Sequence, residues 1–162
     1  MATETDTARE LLRHTLATVA YRGGKALRDA PAEFATFRAS ETTRTPLEIL
    51  AHLGDLFGWA VSIARGKQEW KGAEPQDWDQ EATRFFAGLS ELDQFLSSSE
   101  PLGCAAQQLF QGPIADALTH IGQIAMLRRM AGTPMRGENY FIAEITTGRV
   151  GPEQAAPRYE FD

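Results

Sequence analysis

Three side chains with metal-ligand chemistry stand out because each lies within the apolar pattern of a predicted helix. His52 lies between Ile49 and Leu53 in one helical stripe. Asp116 and His120 lie four residues apart in a later stretch, so they occupy one face of another helix. A carboxylate or an imidazole that faces a core is costly unless it is paired or binds something. We therefore expect these three side chains to act together.

Two imidazoles and one carboxylate can bind a divalent metal ion and leave coordination positions open for water or substrate. An ion held in this way can lower the pKa of a bound water, or hold a thiolate or an enolate. The alternative is a metal-free hydrogen-bonded cluster, in which Asp116 orients His120 and His52 bonds a backbone carbonyl or a water. The third histidine, His14, falls on a polar side of its predicted helix, so we expect it at the surface.

Helical periodicity predicts four amphipathic helices that position these residues. The first runs from about Asp6 to Arg28. The second opens with the capping signature Thr45-Pro46-Leu47-Glu48 and ends near Arg65-Gly66. With no convincing paired strands, four such helices indicate an all-α four-helix bundle.

Capping residues and apolar periodicity also predict the bounds of the third and fourth helices. Asp77 caps the third helix, which ends at Ser97–Ser99, and its Glu81 and Asp93 lie off the apolar stripe and are assigned to solvent. The fourth helix is predicted as Gly112–Gly132, with Gly112 as the N-cap and proline at the first helical position.

The chain ends in an irregular tail rich in proline, glycine and aromatic residues, which we expect to pack on the bundle. If this tail returns over the mouth of the site, Glu138 or Tyr140 would supply an extra ligand or a proton donor. The alternative is that both are ordinary tail-packing and surface residues.

Composition narrows the class of protein. The 162 residues are expected to form one helical-bundle domain over 1–162. A net charge of −6 without a basic run argues against nucleic-acid binding, and no apolar run approaches the ~20 residues that span a bilayer. A single cysteine, Cys104, excludes an internal disulfide framework, and with no export signal we expect a cytoplasmic protein.

The stretches TPLEILAHLGDLFGWA and DALTHIGQIAMLRRMAG resemble the second and fourth helices of the DinB-like (DinB/YfiT-type) four-helix-bundle superfamily. That family has one histidine midway along helix two and two histidines four residues apart on helix four. His52 matches the first, and His120, followed by a Gly-Gln-Ile run, matches the third. Asp116 stands where the family has its second histidine, so the identity of the metal is open.

The resemblance implies an up-down-down-up bundle with a divalent metal on His52, Asp116 and His120: nickel or zinc first, manganese or iron as alternatives. It implies a transferase or hydrolase that acts on a small molecule, with a low-molecular-weight thiol as a possible reactant. It also implies a homodimer, which we expect independently because four aromatic residues lie outside the clean stripes: Phe57, Trp70, Phe86 and Phe95. The opposing hypothesis is a metal-free homodimeric structural or stress-related interaction protein with core histidines.

Overall fold

The computed structural model describes residues 4–161, which form four long helices and one small pair of strands. The bounds are α1 Glu4–Leu27, a 3-10 helix Ala32–Thr36, α2 Pro46–Ala64, α3 Trp78–Ser97, α4 Ala106–Leu109, a π-helical stretch Phe110–Ile114, α5 Ala115–Met130, β1 Gly137–Glu138 and β2 Glu160–Phe161. The stretch from α4 to α5 is one continuous helix. The all-α prediction is confirmed, since β1 and β2 are the only strands in the described part of the chain.

The second and third helices run in the same direction. Gly54, in the middle of α2, lies against Arg84 in the first half of α3. Further along both helices, Arg65 forms an ion pair with Glu91 at 3.0 Å. Because the residue numbers of the contacting pairs increase along both helices, α2 and α3 run in the same chain direction.

The remaining directions follow from contacts made by α1. Arg9, near the start of α1, donates to the carbonyl of Leu96 near the end of α3, so these two helices are antiparallel. Gly23 contacts Ile121, and Ala26 accepts a bond from Arg128, so α1 and α5 are parallel. It follows that α2 and α5 are antiparallel and that the bundle is up-down-down-up, as predicted.

A parallel α2 and α3 require the chain to return along the bundle between them. Residues 65–77 make this crossover along the outside of α2. The Glu69 N–H donates to Ser62 Oγ at 2.6 Å, and the Ala73 N–H donates to Asp55 Oδ1 at 3.3 Å. These two bonds fix the path of the crossover, which carries Trp70 past the middle of α2.

The assignment of Glu81 and Asp93 to solvent was wrong, because both carboxylates are buried. Glu81 is 1% exposed and accepts from Arg84 Nε at 2.8 Å, and the same guanidinium donates to Asp55 at 2.6 Å. Asp93 receives two bonds from Arg13 of α1, at 2.9 and 3.2 Å. Since α3 packs against both α1 and α2, it buries more of its surface than the single apolar stripe marks.

The predicted start of the fourth helix was also wrong. Gly112 is not its N-cap, because the helix begins at Ala106 and Pro113 lies inside it. A proline within an α-helix lacks the N–H that bonds the preceding turn, and its ring clashes there. The π-helical stretch Phe110–Ile114, which contains Pro113, widens the helix at this point. The predicted end is correct, since Gly132 adopts a positive φ of +76° just beyond the last turn.

The core accounts for most of the aromatic residues that suggested a dimer. Phe57 and Phe95 are buried within the protomer and Phe86 is partly buried, so of the four only Trp70 is exposed. Gly23 in α1 permits one close contact in this core, because a Cβ there would lie 2.9 Å from the ring of Phe85. The homodimer stays a prediction, but three of the four aromatic residues no longer support it.

One described helix, Pro46–Ala64, is long and apolar enough to cross a membrane by length and composition, although no apolar run of this length was expected from the sequence. This helix packs in the core of the bundle. Of its most apolar 18-residue segment, 67% is buried inside the protein. Core helices of bundles pass the same test, so the finding is weak evidence for a membrane span.

Candidate metal centre

The first histidine of the site is placed by α2. The predicted capping box is present: Thr45 Oγ1 accepts from the Glu48 N–H at 3.2 Å, and Glu48 Oε2 accepts from the Thr45 N–H at 2.6 Å. This cap fixes where the helix begins, and its apolar pattern then buries Ile49 and Leu53 and leaves His52 at the edge of the core beside α5.

The other two residues come from α5, directly after the π-helical stretch. Asp116 and His120 are one turn apart on the same face, with the buried residues Ala117, Ile121 and Ile124 beside them. Because α2 and α5 are antiparallel neighbours, the start of α5 lies beside the middle of α2. The structure therefore brings together the three residues that the sequence singled out.

The cluster is arranged around the carboxylate of Asp116. His52 Nε2 lies 3.5 Å from Asp116 Oδ2, and His120 Nε2 lies 3.5 Å from Asp116 Oδ1. One potential ligand atom from each residue lies within 4.8 Å of the others. These three side chains could hold a metal ion.

The tautomer of His120 is set by a residue that sequence reasoning did not assign to the site. His120 Nδ1 lies 2.8 Å from Gln123 Oε1. With this amide oxygen as the acceptor, Nδ1 carries the hydrogen and the lone pair of the neutral ring is on Nε2, which faces Asp116. The signal was present as the glutamine of the Gly-Gln-Ile run, three residues after His120, but only as part of the resemblance.

The cluster lies at the rim of the bundle and not inside it, which corrects the expected inward placement. The Asp116 side chain is 47% exposed, whereas His52 and His120 are 22% and 13% exposed. Asp116 is short, and its position on α5 lies at the border between the apolar stripe and solvent. A ligand or substrate can therefore reach the cluster from outside.

The environment of His52 favours its neutral form. Burial lowers the pKa of this imidazole below 6.5, the positive charge of protonated His120 adds to the effect, and Asp116 opposes it. A neutral imidazole is the form that binds metal, so His52 is ready to act as a ligand near neutral pH.

Two tryptophans cover the α2 side of the cluster. The ring of Trp70, from the crossover, lies 5.6 Å from that of His52 between centroids, and Trp59 packs edge to face on Trp70 at 5.7 Å. Trp59 follows His52 by seven residues, so helical spacing places both on the same side of α2. The sequence held no signal that Trp70 would reach the site, because this depends on the path of the crossover.

The structure does not bring Glu138 and Tyr140 to this cluster. Glu138 is buried in β1, where it accepts from Tyr21 Oη at 2.5 Å and from Lys25 Nζ at 2.6 Å. Tyr140 packs against the ring of Tyr21 and under the guanidinium of Arg22. The tail does pack on the bundle, but on α1, and its candidate side chains are part of that packing.

His14 and Cys104 lie away from the cluster, and His14 is at the surface, as expected. His14 is exposed on α1, with Nδ1 3.2 Å from Thr147 Oγ1. Cys104 is a free, partly buried thiol whose pKa is raised by burial, so its reactive thiolate is disfavoured.

An open cleft of about 550 Å³ adjoins the cluster, with His52 and His120 in its wall. It lies between the N-terminal end of α2, with the loop before it, and the C-terminal half of α5. Ile49, Met126 and Leu127 give it an apolar surface. This volume is within the range of about 300–1,000 Å³ that small-molecule sites occupy.

A scan against protein-family models, a search of curated proteins and a search of solved structures each found no match to this chain. The likeness to the DinB-like superfamily therefore rests on the two sequence stretches alone. The class of protein established here is an all-α helical bundle with a group of three side chains able to hold a metal ion.

Proposed function

We propose that this protein is a divalent-metal-dependent enzyme of the DinB-like kind, a transferase or hydrolase that acts on a small molecule. A low-molecular-weight thiol is the preferred candidate for one reactant. A cytoplasmic location, expected from the single cysteine, is part of this proposal.

The observation that carries the proposal is the pair of 3.5 Å distances from Asp116 to the two Nε2 atoms. With metal–ligand bonds of about 2.0–2.2 Å, neighbouring ligands of a tetrahedral site lie about 3.3–3.6 Å apart. A hydrogen bond between an imidazole and a carboxylate is shorter, with a distance of about 2.7–3.2 Å. The two distances end on different carboxylate oxygens, and one ligand atom from each residue lies within 4.8 Å of the others. The spacing is therefore compatible with ligands around an ion and is longer than that of a direct hydrogen bond.

The ligand set suggests which metal to expect. Imidazole nitrogen suits zinc, nickel, copper and iron, and a carboxylate moves the preference towards harder ions such as manganese. We propose zinc or nickel first, because two of the three ligands are imidazoles, with manganese and iron as alternatives. A metal in this position would act as a Lewis acid toward an oxygen or sulfur atom of the substrate.

Two residues beside the cluster, Gln123 and Trp70, support its proposed role as a metal site that is open to a substrate. Gln123 holds His120 with its Nε2 toward Asp116. Trp70 limits the access of water to His52 from the crossover side, while the cleft leaves the opposite side open. Open access beside three ligands is typical of a catalytic metal site, in which a substrate or water completes the coordination.

The test is the metal content of protein purified without an affinity tag and then reconstituted with each of zinc, nickel, manganese and iron. We expect roughly one ion per chain by elemental analysis, lost in His120→Ala and strongly reduced in His52→Ala. His14→Ala is the matched control, because His14 is outside the cluster. Protein that binds none of the four metals would refute the proposal and favour the structural or stress-related interaction protein.

Catalysis is tested separately with the reconstituted protein. We expect metal-dependent consumption of a small thiol in the presence of a small electrophile, or metal-dependent hydrolysis of an activated ester, at a rate that His120→Ala abolishes and His14→Ala keeps. A rate that is the same with and without metal would show that the metal has no catalytic role in that reaction.

A further inference from the structure

The cleft beside the cluster has an uncompensated positive charge. Besides the two histidines, its polar lining residues are Thr43, Arg44 and Gln123, and Arg44 is exposed at the end of the loop that precedes α2. Among residues 4–161, no hydrogen bond or ion pair holds the Arg44 guanidinium. Its five N–H donors are therefore available to a ligand in the cleft.

The neighbouring charges do not neutralise Arg44. Arg38 lies in the same loop, but its guanidinium pairs with Glu48 at 3.5 Å and donates to the Thr43 carbonyl at 2.6 Å. The Glu48 carboxylate responds to the charge of Arg44, yet it is already bonded to the Thr45 N–H and to Arg38. In a chain with a net charge of −6, a free guanidinium on the wall of a cleft is a specific feature.

Arg44, His52 and His120 line the same cleft. The apolar side chains of Ile49, Met126 and Leu127 belong to the same lining. The cleft therefore presents a cation, an apolar surface and a pair of imidazoles within one lining.

We propose that this cleft binds a small ligand that carries a carboxylate, with the carboxylate on Arg44 and an apolar body over Ile49 and Met126. The opposite end of the ligand points to His52 and His120. A guanidinium matches a carboxylate because both are planar and two parallel hydrogen bonds can form. The assignment of a thiol to the opposite end rests on the proposed function, whereas the assignment of the carboxylate rests on the cleft and Arg44.

The test compares two thiols that differ only in the charged end: 4-mercaptobutyrate and 4-mercaptobutan-1-ol. Each is titrated into the zinc-loaded full-length protein by isothermal calorimetry. We expect the carboxylate to bind about tenfold more tightly or better, the scale of a hydrogen bond to a charged group. Arg44→Gln should lose this preference while its affinity for the alcohol and its zinc content stay unchanged.

The matched control is Arg65→Gln, which removes the same charge from the other end of α2. It should keep the preference for the carboxylate. Equal binding of the two thiols to wild-type protein, or a preference that survives in Arg44→Gln, would overturn the assignment.

A metal-free measurement separates this inference from the proposed function. Hexanoate is titrated into ¹⁵N-labelled full-length protein without metal, with 1-hexanol as the neutral comparison. Shifts at the amides of Arg44 and Ile49 with hexanoate only, lost in Arg44→Gln, support the carboxylate site even if no metal binds. If zinc binds but neither hexanoate nor the mercaptobutyrate distinguishes Arg44, the inference fails and the metal site stands.

Discussion

The imidazole rings of His52 and His120 meet edge to face, with 4.7 Å between their centroids. They come from helices that run in opposite directions, and the carboxylate of Asp116 faces the Nε2 atoms of both. The packing of α2 on α5 therefore sets the shape of the cluster. Variants that leave this packing intact can test the role of each side chain separately.

Asp116 distinguishes a metal ligand from a structural partner of the histidines. As a ligand it interacts with the cation through its negative charge, so Asp116→Asn should lower metal affinity sharply while the fold survives. Asp116→His, which restores the set of the resembling family, should retain metal. The measurement is the melting temperature of wild type and both variants, each with and without zinc or nickel. A metal-induced rise that is equal in wild type and Asp116→Asn would exclude Asp116 as a significant ligand.

Gln123 is expected to tune metal affinity through His120. Gln123→Leu removes the acceptor of the Nδ1 hydrogen, and loss of such an outer partner typically lowers metal affinity about 10- to 100-fold. Gln123→Glu keeps an acceptor oxygen and should retain most of the affinity. Competition with a chelator measures both, with Gln94→Leu on exposed α3 surface as the control. A Gln123→Leu variant with wild-type affinity would show that the contact does not orient the ring.

Arg84 is expected to be important for stability, because it is the cation between two buried carboxylates. Arg84→Met leaves Asp55 and Glu81 without a counter-charge, which should lower the free energy of unfolding by about 3 kcal/mol. The control Arg65→Met breaks an exposed ion pair with Glu91 and should cost less than about 1 kcal/mol. Urea unfolding compares the two, and equal losses would contradict the role of the buried network.

The lowered pKa of His52 predicts a pH dependence of the metal-free protein. The unfolded chain, with a pKa near 6.5, takes up the proton before the folded one does. The contribution of His52 to stability is therefore complete above pH 6.5 and is lost as the pH falls through the folded pKa. An NMR titration should place the His52 midpoint below 6.5, and the loss of stability at acid pH should be smaller in His52→Gln. A midpoint above 6.5 would contradict this environment.

The homodimer predicted from the family resemblance is tested by mass. Light scattering at micromolar concentration should give twice the chain mass of 17.8 kDa. A mass of one chain would refute the prediction. The burial of Phe57 and Phe95 within the protomer makes this measurement informative, because these residues no longer require a partner.

Local interactions explain what the sequence determined by itself. The caps at Thr45 and Asp77 form as predicted, because a capping box depends on residues three apart in the chain. The pairing of Asp116 and His120 on one face follows from helical geometry in the same way. The position of His52 within an apolar stripe was enough to predict that it would lie against another helix.

Tertiary structure decided the features that depend on residues distant in the chain. Periodicity marks one apolar stripe, so it could not show that α3 would bury Glu81 against an arginine that also bridges to α2. The approach of Trp70 to His52 required the crossover to run along α2, and the separation of Glu138 from the cluster required the tail to dock on α1. Each of these placements depends on which helices are neighbours, and that choice is made by the packing of the whole bundle.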